Sequence, residues 1–349
     1  MEKDIKNNDT LMAPHDTAAS VHRSVGSRVL SFVKNWTLLV ALCVGAVVYL
    51  PFAYILLLQP VGTFLGPKLV DLLPVVIFIM LYMTFCKIDL HNFHPRTWHF
   101  LLQLVRTALS GLVVVAILLM PHLSADMKVV LEGGFISVSC PTAAAAAVVT
   151  EKLGGSIATM TVYMIIANCF TVVIIPSFFP LVERDAHITF FMSALMVLER
   201  VVRVLILPLI LGLLTQRFLP KVVTWVKRVP NAPFYMWSFN LSIIMGLAMK
   251  TILHSPLTGW ALFMLLFLPL IVCLVLFSVG KWVGHFWGPQ ARVDAGQALG
   301  QKNNVVGIWL ILHFLNPLGV IAPCAYVVWQ NIINALQLWY KKKYGYLKW

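Results

Sequence analysis

A chain of 349 residues that is 60% hydrophobic and only 11% charged, with a mean hydropathy of +0.87, cannot be an ordinary soluble globular protein. It reads as a multi-span protein whose solvent is a lipid bilayer. A net charge of +13 would suggest nucleic acid in a soluble chain, but in a membrane protein it is the basic bias of cytoplasmic loops, and no nucleic-acid partner is expected.

Residues 1–35 form a polar tail without an early apolar core, so no cleavable signal peptide is expected. Within it, His22–Lys34 interleaves basic and apolar residues and reads as a helix lying on the inner membrane surface. Ten spans follow: Trp36–Leu58, Leu69–Phe85, Phe100–Met120, Met127–Val149, Ile157–Pro176, Phe190–Leu214, Phe234–Leu253, Leu257–Val283, Asp294–Phe314 and Leu318–Leu338. The sixth carries Glu199, Arg200 and Arg203, an interfacial ion cluster. Residues 341–349 close the chain as a basic tail.

With the N-terminus inside, eighteen of the 26 lysines and arginines fall on inner segments and six on outer ones, leaving Arg106 and Lys302 within spans. Both termini are therefore expected in the cytoplasm, the protein being integral to a plasma membrane of the bacterial inner type. Ten spans divide into halves of five, residues 36–180 and 181–340, and an odd number turns the second half upside down relative to the first. The expected fold is all-α, with two inverted five-helix repeats. The fourth span of each half is interrupted, at Cys140-Pro141 and at Gly300–Asn304. Unusual segments at corresponding places in two halves mark a binding site.

Pro141 removes a helical hydrogen bond and crowds the preceding turn, which frees carbonyls near Phe135–Val138. Ser137, Ser139, Thr142 and Thr150 place hydroxyls around it; the alternative is a structural kink with serines bonded to their own backbone. The five alanines Ala143–Ala147 suit close helix crossing. Asp294–Phe314 has the length of a span, yet Gln297, Gln301, Lys302, Asn303 and Asn304 crowd its first half beside Gly296 and Gly300. Ionisable groups at membrane depth point to function. The stretch reads as a broken helix at a transport site; the alternative is a helix starting near Asn304 after a wet loop Gln297–Asn303.

The run from Gly296 to Asn304 resembles the ninth helix of the bile acid:sodium symporter family, with Arg292 at the place of an arginine preceding it. Ser139-Cys140-Pro141-Thr142 is similar to the family's other marked stretch, and the resemblance runs roughly from Trp36 to Leu338. It implies broken helices 4 and 9 that cross at the midplane and bind cation and substrate. It also shows departures. A Ser-Asn pair of the family falls here on Ala146 and Ala147, and two hydroxyls of the next helix fall on or near Met160 and Met164, beside Thr159 and Thr161. The ninth-helix glutamate falls on Gln297 and an asparagine on Lys302, while Gln103 and Gln301 match retained amides of the second sodium site.

Loss of the carboxylate and gain of a lysine argue against bound sodium, since a charge pair about 4 Å apart is worth several kcal/mol inside a protein. Lys302 is expected to stand in the cation position, hydrogen-bonded by Gln301, Gln297 and exposed carbonyls. The substrate expected is a small organic anion (bile acid, steroid conjugate or small carboxylate) held by Lys302, Gln301, Gln297, Asn303, Asn304, Gln103, Cys140, Pro141 and Thr142. A buried lysine charge is best offset by an arriving anion, so proton coupling is expected. The alternatives are a sodium-coupled symporter of the bile acid type and an arsenite-type exporter using Cys140.

The remaining candidates divide between roles. Arg106 could pair with an anionic substrate or snorkel to the inner surface. Glu132 could carry a proton, or cap or wet the outer entrance. His91-x-x-His94 has metal-like spacing without a third ligand, and Asn331 and Asn334 suit interhelical glue. The six cysteines lie in or against apolar runs with no C-x-x-C pair, so neither disulfides nor zinc are expected, and no resident cofactor is. Motifs of hydrolases, metalloproteases and P-loop enzymes are absent from the sequence, and no enzymatic activity is expected.

Overall fold

The computed structural model describes residues 37–88, 94–120, 122–143, 146–183, 189–229 and 232–347. Apart from Thr37 these belong to one compact unit, Leu38–Trp349. The interfacial segment His22–Lys34 and His91 lie outside the described residues.

Among the described residues the fold is all-helical, with a single isolated β-bridge. In chain order the helices are α1 (Thr37–Tyr54), α2 (Gln59–Phe85), α3 (Thr97–Leu119), α4 (Ala125–Ser139), α5 (Ala146–Lys152), α6 (Ile157–Val182), α7 (Phe190–Val201), α8 (Leu207–Phe218), α9 (Pro220–Arg228), α10 (Ala232–Leu253), α11 (Gly259–His285), α12 (Pro289–Gly300), α13 (Asn304–Phe314) and α14 (Ile321–Tyr344). Six helical stretches, in α2, α3, α6, α10, α11 and α14, are long and apolar enough to cross a membrane. The other expected spans fall on α1 and on three pairs of shorter helices: α4 with α5, α7 with α8, and α12 with α13.

Several boundaries differ from expectation, each for a local reason. The second span begins at Gln59, ten residues before Leu69, because Pro60 sits in the first turn, where a missing N–H costs nothing. The sixth is interrupted at Val202–Ile206 by a π turn. Pro208 follows it and lacks the N–H that would bond Val204, so the wider turn relieves the clash of its ring. The ninth begins at Pro289, after the left-handed Gly288 (φ 102°), rather than at Asp294. Lys341–Lys343 are the last turn of α14 and not yet a tail, a favourable place for cations beside exposed carbonyls. The short α9 was not anticipated: Val222 and Val226 pack on Tyr82 and Met236, while Lys221, Trp225, Lys227 and Arg228 face outward.

Two features place the centre of the molecule. The main apolar core joins α2, α4, α6, α7, α10, α13 and α14 through residues such as Ile77, Phe135, Ile175, Val201, Leu241, Ile308 and Val327. On the other side α11 and α12 pack backbone to backbone, since Gly280 and Gly284 stand four apart on one face. A Cβ at Gly280 or Gly284 would collide with the carbonyl oxygen of Ala295 or Ala291 respectively. This is the small-residue packing that lets membrane helices approach without a hydrophobic driving force.

That contact sets the position of α12 and hence of the second break. Gly284→Leu should destabilise the protein by about 1–3 kcal/mol, the usual cost of overpacking. Thermal unfolding in detergent checks it. Gly259→Ala, with nothing within 4 Å of an added Cβ, should melt with the wild type.

Candidate functional site

Two interrupted helices meet at the centre of the fold. The first break follows Ser139: Cys140 turns out of the helix (φ −55°, ψ 144°), and Pro141 offers no N–H to continue it. The second follows Gly300, where Gln301 is extended (φ −88°, ψ 114°) and the Asn303 side chain accepts from Val306 N to start α13. The breaks then supply each other's missing partners. Ala143 N donates to Gln301 O at 3.2 Å and Asn303 N to Pro141 O at 2.8 Å, an antiparallel bridge centred on Thr142 and Lys302. The pairing is symmetric under exchange of the two strands. Thr142 Oγ1 adds a bond to Ala298 O at 2.7 Å. Irregular backbone is tolerable at membrane depth only when satisfied in this way by protein. Close approach depends on Gly307, where a Cβ would strike Cys140 Sγ and Ile136.

Lys302 is 2% exposed. Its ammonium donates to Val138 O at 2.8 Å and Cys140 O at 3.3 Å. These are among the last carbonyls of α4, which have no helical N–H to accept, and they form the negative end of that helix. Arg106 joins from α3, 1% exposed, donating to the same Cys140 O at 3.4 Å and to Ala167 O at 3.2 Å. Arg106 therefore does not snorkel. Neither cation takes part in an ion pair among the described residues, whose pairs join Lys128 to Glu132 and Glu183, and Arg203 to Glu199.

The amides take a different place from the one expected. Gln301 Nε2 donates to Gln297 Oε1, and Gln297 Nε2 donates to Gln337 Oε1 at 3.0 Å, so neither reaches the ammonium. The reason is periodicity: residues 297 and 301 are four apart on one face of α12, which meets α14, and the chain turns at the break before Lys302 emerges toward α4. Asn304 Nδ2 folds back on Lys302 O at 3.1 Å. Gln103 is buried on α3 and stands outside this pairing, beside the Tyr163 hydroxyl.

The last helix contributes residues the sequence reading passed over. Gln330 Oε1 accepts from Lys302 N at 3.0 Å, and the Tyr326 hydroxyl donates to Gly300 O at 2.7 Å. Tyr326, Gln330 and Gln337 recur at helical spacing on one face, a polar stripe legible in the sequence. Attention to Asn331 and Asn334 missed it: Asn331 bonds its own helix at Val327 O, and Asn334 Oδ1 is buried without a partner.

Other candidates resolve locally. Ser137 bonds Gly133 O within its own helix, and Ser139 bonds Ser110. Thr150 Oγ1 is buried and unbonded. Met160 and Met164 are buried, whereas Thr161 bonds its own turn at Ile157 O. Glu132 does not wet an entrance: it is buried, and it accepts from Asn316 N at 3.1 Å, ahead of α14. Asp294 does the equivalent at the other end, accepting from Ser156 N at 2.9 Å, ahead of α6. Glu199 and Arg203 pair on the surface, and Arg200 lies 5.4 Å from the Phe314 ring. Among the described residues no group of acids, histidines and cysteines could hold a metal ion.

A family model described as the Sodium Bile acid symporter family matches residues 74–255. That range holds Gln103, Arg106 and the first break; Lys302 and the second break lie beyond it. No curated protein matches the sequence.

Tyr326→Phe keeps the ring but leaves the buried Gly300 carbonyl unpaired, which should cost about 1–3 kcal/mol. Thermal unfolding of the purified protein checks it; an unchanged midpoint would show that the α12 terminus does not depend on this bond.

Proposed function

The chain belongs to the Sodium Bile acid symporter family, and from this premise we propose that it is a secondary transporter of an organic anion in which Lys302 takes the place of a transported cation. Membership of that family supports a membrane transporter. The observation that carries the rest is the Lys302 ammonium, held on the α4 carbonyls and in no ion pair with a carboxylate among the described residues. Burying a charge costs several kcal/mol even after relaxation. Here the compensation comes from helix-end carbonyls, which would equally suit a bound metal cation. Lysine fills that position covalently. The buried methionines at 160 and 164 and the Gln297 amide, tied to Gln337, support a site without sodium ligands.

The ten-span inverted repeat belongs to the same proposal. It is supported by the exchange symmetry of the paired breaks, and by the matched roles of Glu132 and Asp294. Each precedes one break and caps the turn that follows the other broken helix. Alternating access would move one repeat against the other around this crossing, with both termini cytoplasmic.

Charge balance favours proton coupling. Among the described residues, the titratable groups that act most on the ammonium are Arg106 on α3, Cys140 at the first break and Cys273 on α11, none of them an acid. An entering anion would favour the charged lysine, so anion and proton would bind together and occupancy would fall as pH rises.

Two measurements on the purified full chain test this reading. Its melting temperature should be the same in sodium and potassium chloride at equal ionic strength; a sodium-specific rise that saturates would contradict it. In proteoliposomes, uptake of the organic anion carried, sought among taurocholate and short carboxylates, should be equal in the two salts, and Lys302→Gln should lose most of it together with its pH dependence. Uptake by Lys302→Gln with unchanged pH dependence would end the proposal.

A further inference from the structure

One buried face of α3 runs past the first break and is only partly used by it. His99, Gln103, Arg106 and Ser110 stand four, three and four residues apart, a single stripe along the helix, and all are buried. Ser110 is satisfied by Ser139. The others are not: His99 Nε2, both amide atoms of Gln103 and Arg106 Nε are buried without a hydrogen-bond partner, as are Trp98 Nε1 and the Tyr163 hydroxyl facing the stripe from α6. The Tyr163 hydroxyl lies beside the Gln103 and Thr142 side chains, without the geometry of a hydrogen bond to either, and within electrostatic reach of Arg106. Its ring is 5.8 Å from His99 and 6.1 Å from Trp98, so the five side chains form one neighbourhood.

More than nine in ten buried polar groups in native proteins are hydrogen-bonded, so a cluster of orphans calls for a missing partner. Its chemistry follows from which atoms are orphaned. Arg96 N donates to His99 Nδ1 at 3.2 Å, so a neutral His99 carries its proton on Nε2 and that atom is a donor. Trp98 Nε1, Arg106 Nε and the Gln103 amide nitrogen are donors too, and the Tyr163 hydroxyl can donate. Only Gln103 Oε1 must accept. A donor-rich site beside a permanent guanidinium charge, with no acid paired to it, selects an anion. Arg106 has two of its five N–H groups engaged, on Cys140 O and Ala167 O, which leaves donors for an oxyanion.

We propose that Gln103, Arg106 and Tyr163 form the receptor for the substrate's carboxylate, with His99 and Trp98 binding an acceptor group at its far end. The inference rests on the organic-anion reading above and divides its labour: Lys302 is the built-in cation, and Arg106 meets the substrate. From Arg106 to His99 is seven residues of helix, about 10 Å. The substrate class is accordingly a short organic acid with a hydroxyl, oxo or second carboxyl group opposite its carboxylate. All five side chains are buried, so a substrate would reach them only when α3 and α6 part.

The test uses purified full-length protein and a thermal-shift titration with 4-hydroxybenzoate, 4-oxopentanoate and glutarate, each against its uncharged amide. At least one acid should stabilise the wild type in a saturable way while its amide does not. Arg106→Gln should abolish that stabilisation, and Tyr163→Phe, which keeps the ring and the guanidinium, should weaken the half-saturating concentration roughly tenfold, as loss of a bond to a charged group predicts. Should Arg106→Gln not fold, Tyr163→Phe and Gln103→Leu carry the test. Unchanged titrations in the α3 and Tyr163 variants, with loss in Lys302→Gln, would overturn this site and leave the transport reading standing. If none of the acids stabilises the wild type, this site is overturned. If taurocholate fails as well, the organic-anion reading falls with it.

Discussion

The ammonium of Lys302 on the last carbonyls of α4 is the interaction on which the centre of this molecule depends. A helix that stops inside a membrane protein leaves carbonyls with no N–H to accept, and desolvated carbonyls without partners are costly. A lysine buried without a carboxylate is costly as well. Each defect is the other's remedy, and they come from different halves of the chain. Val138 and Cys140 supply the oxygens, while Lys302 supplies three donors from beyond the second break. Arg106 adds a second cation to the same helix end. Removing the lysine would leave Val138 O without that donor and Cys140 O with Arg106 alone.

The backbone around this contact follows from the same need. Each break exposes one N–H and one C=O, and the antiparallel bridge satisfies both pairs at once. The half-helices are then held at their far ends by buried acids, Glu132 on Asn316 N and Asp294 on Ser156 N. The crossing is therefore pinned at its middle by backbone and lysine, and at its two ends by single carboxylate caps.

Much of this was legible in the sequence. Pro141 and the amide-rich run beside Gly300 located both breaks, because proline and a polar patch inside an apolar span have few other uses. The partners of Lys302 were half legible: carbonyls follow from the break, but which face Gln297 and Gln301 present depends on how α12 is rotated, and that is set by Gly280 and Gly284 on α11. Tyr326, Gln330 and Gln337 were readable as a stripe, yet nothing in the pattern says which neighbour a polar stripe meets. Arg106 could not be decided from sequence, since a mid-span arginine snorkels or stays according to what lies beside it. The helix α9 was missed because nine residues between spans carry too little periodicity to stand out.

The central claim is that a tethered cation completes the crossing, and its most direct test is chemical rescue. Lys302→Ala removes the ammonium and leaves beside the α4 carbonyls a cavity the size of the lost aminopropyl group, which a small alkylammonium ion matches. The account predicts that Lys302→Ala melts below the wild type and is restored in a saturable way by propylammonium, but not by tetramethylammonium at equal ionic strength. Melting of Lys302→Ala at the wild-type temperature, indifferent to propylammonium, would contradict it.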